Sequence, residues 1–243
     1  PSLMNPVLRF ALEHPSCLTL VYSRMQHHYR LHTYFGRYYE AVFLCGVVAG
    51  QHTKTGTVAY ITPKLSYARF TSDINAFAIG VHSVRPDARV LVVTRDVDPK
   101  QMETCEFGVR HAASLGADTV LTPHYSHLAL AELPYGIFTA LIGIDSEGKP
   151  TRYLAAPDWN WERFYTAMVK SYLNGSLSAL LAMDREESPI ASFWWGLGGG
   201  VVDVRLGSWS SGTPNNLIRY LRGSIARNLY NPFHGPVTDS EGV

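Results

Sequence analysis

The spacing of apolar residues along the chain predicts alternating helices and strands. Ile74, Phe77 and Val81 recur at three- and four-residue steps, which is typical of one face of a helix. Pro86 then ends that helix. The uninterrupted apolar run at residues 90–93 follows, and such a run predicts a strand that is covered on both faces, as in a parallel sheet.

The same alternation extends over most of the chain and predicts an α/β fold. Further strands are predicted over residues 18–22, 57–62, 118–122, 137–144 and 152–156, and further helices over residues 3–14, 34–51, 102–115, 161–173 and 215–228. This alternation favours an open parallel sheet with right-handed crossovers. In such sheets ligands bind outside the carboxyl ends of the strands. Here those ends are followed by the loops after Ile61, Thr94, Thr122, Ile144 and Ala156.

The helix predicted over residues 34–51 contains both small and aromatic side chains. Its small residues Gly46, Ala49 and Gly50 would allow close packing on a sheet or a neighbouring helix. Its aromatic residues could line a cofactor site, but aromatic residues at helical spacing more often belong to a core. We therefore favour a core role for them; they are Tyr34, Phe35, Tyr38 and Tyr39.

Composition places the chain among ordinary globular proteins. It has 243 residues, 46% of them hydrophobic, and a formal charge of +1, enough for one large domain or two smaller lobes. Lys and Arg are scattered, which argues against a nucleic-acid partner. The sequence contains neither a run of ~20 apolar residues that could span a membrane nor a recognisable signal peptide. Cys17, Cys45 and Cys105 lie far apart, so buried free thiols are favoured, with one disulfide left open.

Catalytic and metal-binding patterns are weak in this sequence. The common motifs of serine hydrolases, zinc proteases, P-loop proteins and dinucleotide-binding proteins do not occur. Histidines cluster at positions 27, 28 and 32 and at positions 124 and 127, but neither cluster has the remaining ligands of a zinc site nearby. The triple glycine at 198–200 precedes a strand rather than a helix, so we interpret it as a turn or hinge. We expect no catalytic residues, no metal and no cofactor.

Four residues remain as candidates for a binding cleft. Asp145 follows a predicted strand and could accept hydrogen bonds from ribose hydroxyls, or it could instead cap a turn. Trp159 and Trp161 could each stack on a flat heterocycle, or each could be a hinge or core residue. Asp203 follows the glycine loop and could bind a ligand's donor groups, or it could pair with Arg205 or face solvent.

Several stretches together resemble one family. They are YFGRYYEA at 34–41, TKTGTVAY at 53–60, INAFAIGVHSVRPDARVLVV at 74–93, DP at 98–99, GAD at 116–118, IGIDSEG at 142–148, DWNWERFY at 158–165, GGVVDV at 199–204 and PFHGPV at 232–237. In this order they are similar to the basic membrane protein family of bacterial ABC-transporter substrate-binding lipoproteins, which includes the purine nucleoside receptors.

The resemblance implies a type I periplasmic-binding-protein fold with two doubly wound parallel-sheet lobes and a ligand cleft between them. The lobes would comprise residues 1–63 with 158–243, and residues 64–157. The implied ligand is a purine nucleoside or purine base, and the implied partner is the membrane permease of an ABC transporter. The implied ligand-binding residues are Asp145, Trp159, Asp203, Gly200, His124 and Tyr125. A monomeric, extracytoplasmic lipoprotein is expected.

The chain departs from the family pattern at its start. Relatives open with a strand and an acidic, glycine-rich loop, whereas this chain opens with a helix, so we expect preceding residues or a partner to complete the sheet. Two other functions stay open: a ligand-sensing domain of a regulatory protein with the same fold, and a nucleoside hydrolase acting through His124, His127 and Asp145. Fold alone does not choose among the three.

Overall fold

The computed structural model describes residues 4–24, 28, 31–63, 71–95, 103–123, 139–183, 191–208 and 213–235. The helices are α1 (Met4–Glu13), α2 (Tyr39–His52), α3 (Thr71–Val84), α4 (Glu103–Ser114), α5 (Trp161–Leu173), α6 (Ser176–Met183) and α7 (Thr213–Ala226). The strands are β1 (Leu20–Tyr22), β2 (His32–Gly36), β3 (Thr57–Pro63), β4 (Arg89–Arg95), β5 (Thr119–Pro123), β6 (Thr139–Ile144), β7 (Pro150–Trp159), β8 (Ser192–Trp195) and β9 (Val202–Leu206).

The chain divides into two compact units. Unit 1 comprises Pro1–Arg37 and Asn160–Val202, and unit 2 comprises Tyr38–Trp159 and Asp203–Val243. Unit 1 contains a three-stranded sheet in the order β1-β2-β8, in which both pairs of strands are parallel. The predicted lobes had other bounds: they separated β3 from β4 and β5, whereas all three strands lie in one sheet. The division of the protein into two ligand-binding lobes stays a prediction.

Unit 2 is built on a six-stranded sheet in the order β4-β3-β5-β6-β7-β9. β3 is parallel to both β4 and β5, while β6 is antiparallel to β5 and to β7. β3, β4, β5 and β7 therefore all end at one edge of the sheet, which we call the carboxyl edge. The opposite edge, where β3, β4 and β5 begin and β6 ends, is called the amino edge.

Helices cover both faces of the six-stranded sheet. Alternate side chains of a strand point to opposite faces, and in β3 Ala59 and Ile61 belong to a buried cluster with Val109 of α4. Tyr60 points the other way and contacts the ring of Phe77 in α3, with 5.6 Å between the centroids. This coverage explains why the central strands consist of nearly continuous apolar runs. The strand predicted at residues 90–93 exists as β4, but it is the outermost strand of the sheet and Val92 is 38% exposed, so the prediction that it is covered on both faces is wrong.

The helices α2 and α3 touch through their backbones. A Cβ atom added to Gly46 would lie 2.2 Å from the carbonyl oxygen of Phe77, and one added to Gly80 would lie 2.2 Å from that of Phe43. Only glycine permits such an approach at these two positions. Every residue from Glu40 to Gly50 is buried, so α2 is enclosed within unit 2, and the predicted close packing of its small residues is confirmed.

Two predictions about secondary structure are wrong. The predicted helix began at Tyr34, but residues up to Gly36 belong to β2 and the helix starts at Tyr39. β2 is a central strand because it pairs with β1 and β8 on either side, and its Thr33 hydroxyl donates to the Ser192 hydroxyl at 2.8 Å. The expectation of a wholly parallel sheet also fails at β6, because a short hairpin turn connects β6 to β7 and a hairpin requires antiparallel strands.

The structure describes the side chains of two cysteines, and both are free thiols. Cys45 is a buried free thiol, as predicted, whereas Cys17 is a free thiol that is exposed. Burial raises the pKa of the Cys45 thiol, so Cys45 stays protonated and behaves as a small core residue. Over the described ranges, no helix has the length and apolar character that crossing a membrane requires.

Candidate ligand-binding site

An aromatic stack lies at the carboxyl edge of the six-stranded sheet. Trp159 is the last residue of β7, and Tyr38 directly precedes α2. Their ring centroids are 4.7 Å apart and their planes differ by 9°, so the two rings are stacked. Such pairs contribute about 0.5–1.5 kcal/mol beyond the burial of their area. Tyr38 therefore supports the indole of the predicted site residue Trp159 and limits its orientation.

The hydroxyl of Tyr38 is held in its neutral form. Burial raises its pKa, and the charges of Asp73 and Asp158 act in the same direction, while a hydrogen bond with the Thr139 side chain acts against them. A protonated tyrosine can donate, and the backbone oxygen of Pro157 lies 3.5 Å from the hydroxyl oxygen. Tyr38 thus connects the start of α2 with the start of β6, at Thr139, and the end of β7, at Pro157.

Two more polar groups are buried on elements that meet this edge. Asp73 is 5% exposed and lies in the first turn of α3, where the helix dipole favours a negative charge. Burial first, and then the charge of Asp73, raises the pKa of Tyr60. The Thr62 hydroxyl near the end of β3 is buried and has no hydrogen-bond partner among the described residues. Leaving such a group unsatisfied costs about 1–3 kcal/mol, so Thr62 is a candidate for contacting a ligand.

The carboxylate of Asp203, near the start of β9, forms an ion pair. Its Oδ2 contacts the guanidinium of Arg222, and its Oδ1 accepts the N–H of Val204 at 2.8 Å. Arg205 instead pairs with Asp158, 2.5 Å from Nε to Oδ2, so the suggested pairing of Asp203 with Arg205 is wrong. The Asp203 side chain is 38% exposed, and its role in ligand binding stays a prediction.

Gly200 lies in the turn that links β8 and β9. Its φ of +67° falls in the left-handed region that favours glycine, and its N–H donates to the Leu197 carbonyl at 3.1 Å. The interpretation of the triple glycine as a turn is confirmed. A Cβ at Gly200 would lie 3.6 Å from Cδ of Arg163, which places a cationic side chain beside the loop. A contact between Gly200 and a ligand stays a prediction.

Asp145 organises the hairpin turn between β6 and β7. Its Oδ1 accepts the N–H groups of Glu147 at 2.9 Å and Lys149 at 2.8 Å, and its backbone oxygen accepts the N–H of Gly148. The turn-capping alternative therefore describes its contacts. Because β6 is antiparallel to β5, the loop after Ile144 lies at the amino edge, and the expectation that it lies at the carboxyl edge is wrong. A ligand-binding role for Asp145 stays a prediction.

Replacing Asp145 with alanine is expected to lower the free energy of unfolding by about 1–2 kcal/mol, because two backbone N–H groups lose their acceptor. Asp145→Asn is the matched control, since it keeps an Oδ1 acceptor for an Asx turn, and it should cost less than half as much. Urea unfolding midpoints measure both effects. Equal losses in the two variants would contradict this role for the Oδ1 atom.

The predicted histidine clusters are described only in part. His124, Tyr125, His127 and His27 lie outside the described residues. The Nδ1 atom of His32 accepts the N–H of Ala191 at 3.2 Å, and burial lowers the pKa of this imidazole, which fits a neutral hydrogen-bonding residue. Within the part of the chain that the structure describes, no three His, Cys, Asp or Glu side chains are grouped as metal ligands would be.

The carboxyl edge of unit 2 therefore brings together one predicted site residue and several that sequence analysis missed. Trp159 lies there with Tyr38, Thr139 and Asp73, whereas Asp145 lies at the opposite edge and Gly200 belongs to unit 1. Tyr38 was interpreted as a core aromatic, and its burial agrees with that. Its role beside Trp159 could have been predicted from its position. It directly precedes a helix that follows a strand, and α/β proteins build their ligand sites at such positions.

Comparison with other proteins identifies relatives at low identity. No protein-family model matches the chain. A purine-binding protein of Brucella abortus is 25% identical over 215 residues, covering 86% of this chain and 57% of that protein. A Haloferax volcanii protein with the provisional name of an ABC transporter glucose-binding protein is 28% identical over 172 residues, covering 69% of this chain and 40% of that protein. The chain thus spans about half the length of these relatives.

Solved structures share the fold over nearly the whole chain. An ABC transporter solute-binding protein of Conexibacter woesei matches with a TM-score of 0.59 and 13% identity, covering 93% of this chain and 75% of its own. One from Aeropyrum pernix gives a TM-score of 0.54 with 11% identity, covering 98% and 76%. A transcriptional activator of the comK gene from Bacillus halodurans gives 0.59 with 11% identity, covering 94% and 77%.

These structural matches confirm the predicted fold class. The chain has a mixed α/β fold with parallel-rich sheets, and solute-binding proteins of ABC transporters share it. At such low identities the matches establish the fold alone.

Proposed function

We propose that this chain is the substrate-binding component of an ABC transporter and that it binds a purine nucleoside or purine base between two lobes. The observation that carries the proposal is that both relatives found by sequence are named as binding proteins, one for purines and one, provisionally, as part of an ABC transporter. The ordered family motifs along the chain support the same function. Its partners would be a small molecule and a membrane permease.

Chemistry at the carboxyl edge favours a flat ligand. In this proposal the heterocycle stacks on the indole of Trp159, which Tyr38 supports from one side. Stacking of a base on an aromatic side chain is worth about 1–3 kcal/mol. The Thr62 hydroxyl, buried and without a partner among the described residues, would supply one hydrogen bond. Asp203, Gly200, Asp145, His124 and Tyr125 remain proposed ligand contacts to be tested one at a time.

A purine is preferred to glucose as the proposed ligand for two reasons. The purine-binding relative covers more of this chain and more of its own length than the glucose-binding relative does. In addition, stretches such as IGIDSEG at 142–148 and DWNWERFY at 158–165 resemble segments of the purine nucleoside receptors and run in the same order.

Calorimetric titration with adenosine, guanosine, inosine, adenine, ribose and glucose tests the proposal directly. We expect a dissociation constant of about 1 μM or below, which is about −8 kcal/mol, for at least one purine, and no heat from ribose alone. Chromatography of the mixture afterwards should recover the ligand unchanged, because the proposal includes no catalysis. Tight binding of glucose with none of the purines would overturn the ligand assignment, and release of free base would identify a hydrolase instead.

The proposed location follows from the proposed transport function. Receptors of the family that the chain resembles work outside the cytoplasm and are anchored as lipoproteins, and we propose both properties for this chain. A ligand-sensing domain of a regulator would have the same fold, so purine binding alone does not distinguish them. Co-purification of the complete gene product with a membrane permease supports transport, whereas co-purification with DNA supports regulation.

A further inference from the structure

A cavity lies at the amino edge of the six-stranded sheet. It has a volume of about 370 Å³, within the range in which small-molecule sites begin. Its walls come from the end of α2, the start of β5, the end of β6 and the start of β7. Its lining includes His52, Lys54, Asp118, Ile144, Arg152 and Leu154. Trp159 lies at the other end of β7, so this cavity is separate from the candidate purine site.

Positive charge exceeds negative charge around the cavity. Lys54 and Arg152 line it, and neither has an ion-pair partner among the residues that the structure describes. The one acidic side chain in the lining is Asp118. With His52 neutral, the lining therefore carries a net charge of +1, and with His52 protonated it carries +2.

The carboxylate of Asp118 is already engaged by its own surroundings. Its Oδ2 accepts the backbone N–H of Lys54 at 2.6 Å and that of Thr55 at 2.9 Å. Its Oδ1 accepts the hydroxyl of Thr119 at 3.1 Å. The two bonds to Lys54 and Thr55 fix the loop after α2 against the start of β5. Because the carboxylate of Asp118 is directed towards these donors, Lys54 and Arg152 retain their capacity to bind an added anion.

The pKa of His52 depends on the charges around the cavity. Burial lowers its pKa, and the positive charge of Arg152 lowers it further. The charged groups that face it are Arg152 on β7, Lys54 on the loop after α2 and Asp118 before β5. An anion bound among these cations would favour the imidazolium and therefore raise the pKa of His52.

Apolar side chains form part of the cavity wall. Ile144 and Leu154 line it and are 6% and 2% exposed, and Gly143 beside them lies against Thr151, whose Oγ1 would be 3.0 Å from a Cβ at that position. Binding sites for small molecules commonly combine such apolar walls with a few charged groups that fix orientation. We propose that this cavity is a second ligand site that binds a small organic anion, with its carboxylate or phosphate between Lys54 and Arg152 and its carbon skeleton against Ile144 and Leu154.

The test follows the imidazole signals of His52 by NMR, assigned with His52→Gln, while butyrate or inorganic phosphate is added at constant ionic strength. We expect a saturable shift and an upward change of about 0.5 or more in the pKa of His52 with at least one of the two anions. Saturation by butyrate alone identifies a carboxylate site, and saturation by phosphate alone identifies a phosphate site. Sodium chloride at matched ionic strength should produce no saturable shift.

Charge variants make the result specific. Arg152→Gln and Lys54→Gln should each weaken anion binding by tenfold or more, with unchanged unfolding midpoints. Lys149→Gln is the matched control, since Lys149 pairs with Glu147 on an exposed hairpin and its loss changes net charge by the same amount. Equal weakening in all three variants, or no saturation by either anion, overturns the proposal. Neither result bears on purine binding at Trp159, so the two proposals fail independently.

Discussion

Replacing Gly80 with valine is expected to destabilise the protein by more than about 3 kcal/mol, a large part of the roughly 5–15 kcal/mol by which ordinary domains are stable. A single Cβ atom there would lie 2.2 Å from the carbonyl oxygen of Phe43 and 3.0 Å from the backbone nitrogen of Val47. Both neighbours are backbone atoms inside a buried helix, so they cannot move aside as a flexible side chain would. Overpacking a core typically costs about 1–3 kcal/mol, and valine adds further atoms at the same contact.

The contact of Gly46 with the backbone of α3 provides an independent test of the close approach of the two helices. Gly46→Ala should be destabilising by about 2 kcal/mol or more, although alanine is the better helix former by about 1 kcal/mol, because its Cβ would meet the backbone of Phe77. Gly223→Ala in α7 is the matched control, since the nearest atom to its added Cβ is the end of Arg227 at 3.7 Å. That variant should gain about 0.5–1 kcal/mol. Urea unfolding curves giving the same sign for all three variants would contradict the backbone contact.

The second large effect concerns ligand affinity. Trp159→Ala is expected to weaken purine binding by about 10- to 100-fold, which corresponds to about 1–3 kcal/mol of lost stacking. Trp159→Phe should recover much of the loss, because a phenyl ring still presents an aromatic face on Tyr38. Calorimetry with the tightest-binding purine measures both variants.

A control separates stacking from general loss of aromatic surface. Tyr220 is 67% exposed on α7, and Tyr220→Ala should leave purine affinity unchanged. Trp159→Ala also loses the stack on Tyr38, which is worth about 0.5–1.5 kcal/mol, so a urea unfolding curve should show a modest loss of stability in a protein that is still folded where affinity is measured. Unchanged affinity in Trp159→Ala, with purine binding otherwise established, would remove Trp159 from the site.

Sequence reasoning succeeded where one physical signal dominated. The apolar run at 90–93 and the spacing of Ile74, Phe77 and Val81 correspond to β4 and α3, because burial on a covered sheet or one helix face leaves a periodic pattern. It failed at residues 34–36. Tyr34 and Phe35 fit a helical apolar pattern as well as a strand, and pairing with β1 and β8, which is remote in sequence, decides in favour of the strand.

The site was harder to predict than the fold because strand direction decides which loops lie together. Asp145 follows an apolar strand, as a ligand-binding carboxylate would, but the antiparallel direction of β6 sends its loop to the amino edge. A five-residue turn, 145–149, between two apolar runs was the available sign of a hairpin. Tyr38 and Trp159 are 121 positions apart, so their stacking depends on the complete sheet and leaves no local sequence pattern.

The buried helix α2 has one further consequence, which concerns thermodynamic linkage. Its 14 residues correspond to a rod about 21 Å long, with Tyr38 directly before it and His52 as its last residue. It therefore runs between the proposed purine platform and the proposed anion cavity. If purine binding displaces this helix along its axis and the anion binds the two positions with different affinities, the two sites are coupled, and reciprocity requires each ligand to change the affinity for the other by the same factor. Titrating either ligand in the presence of the other therefore measures one coupling energy from both ends of a single helix.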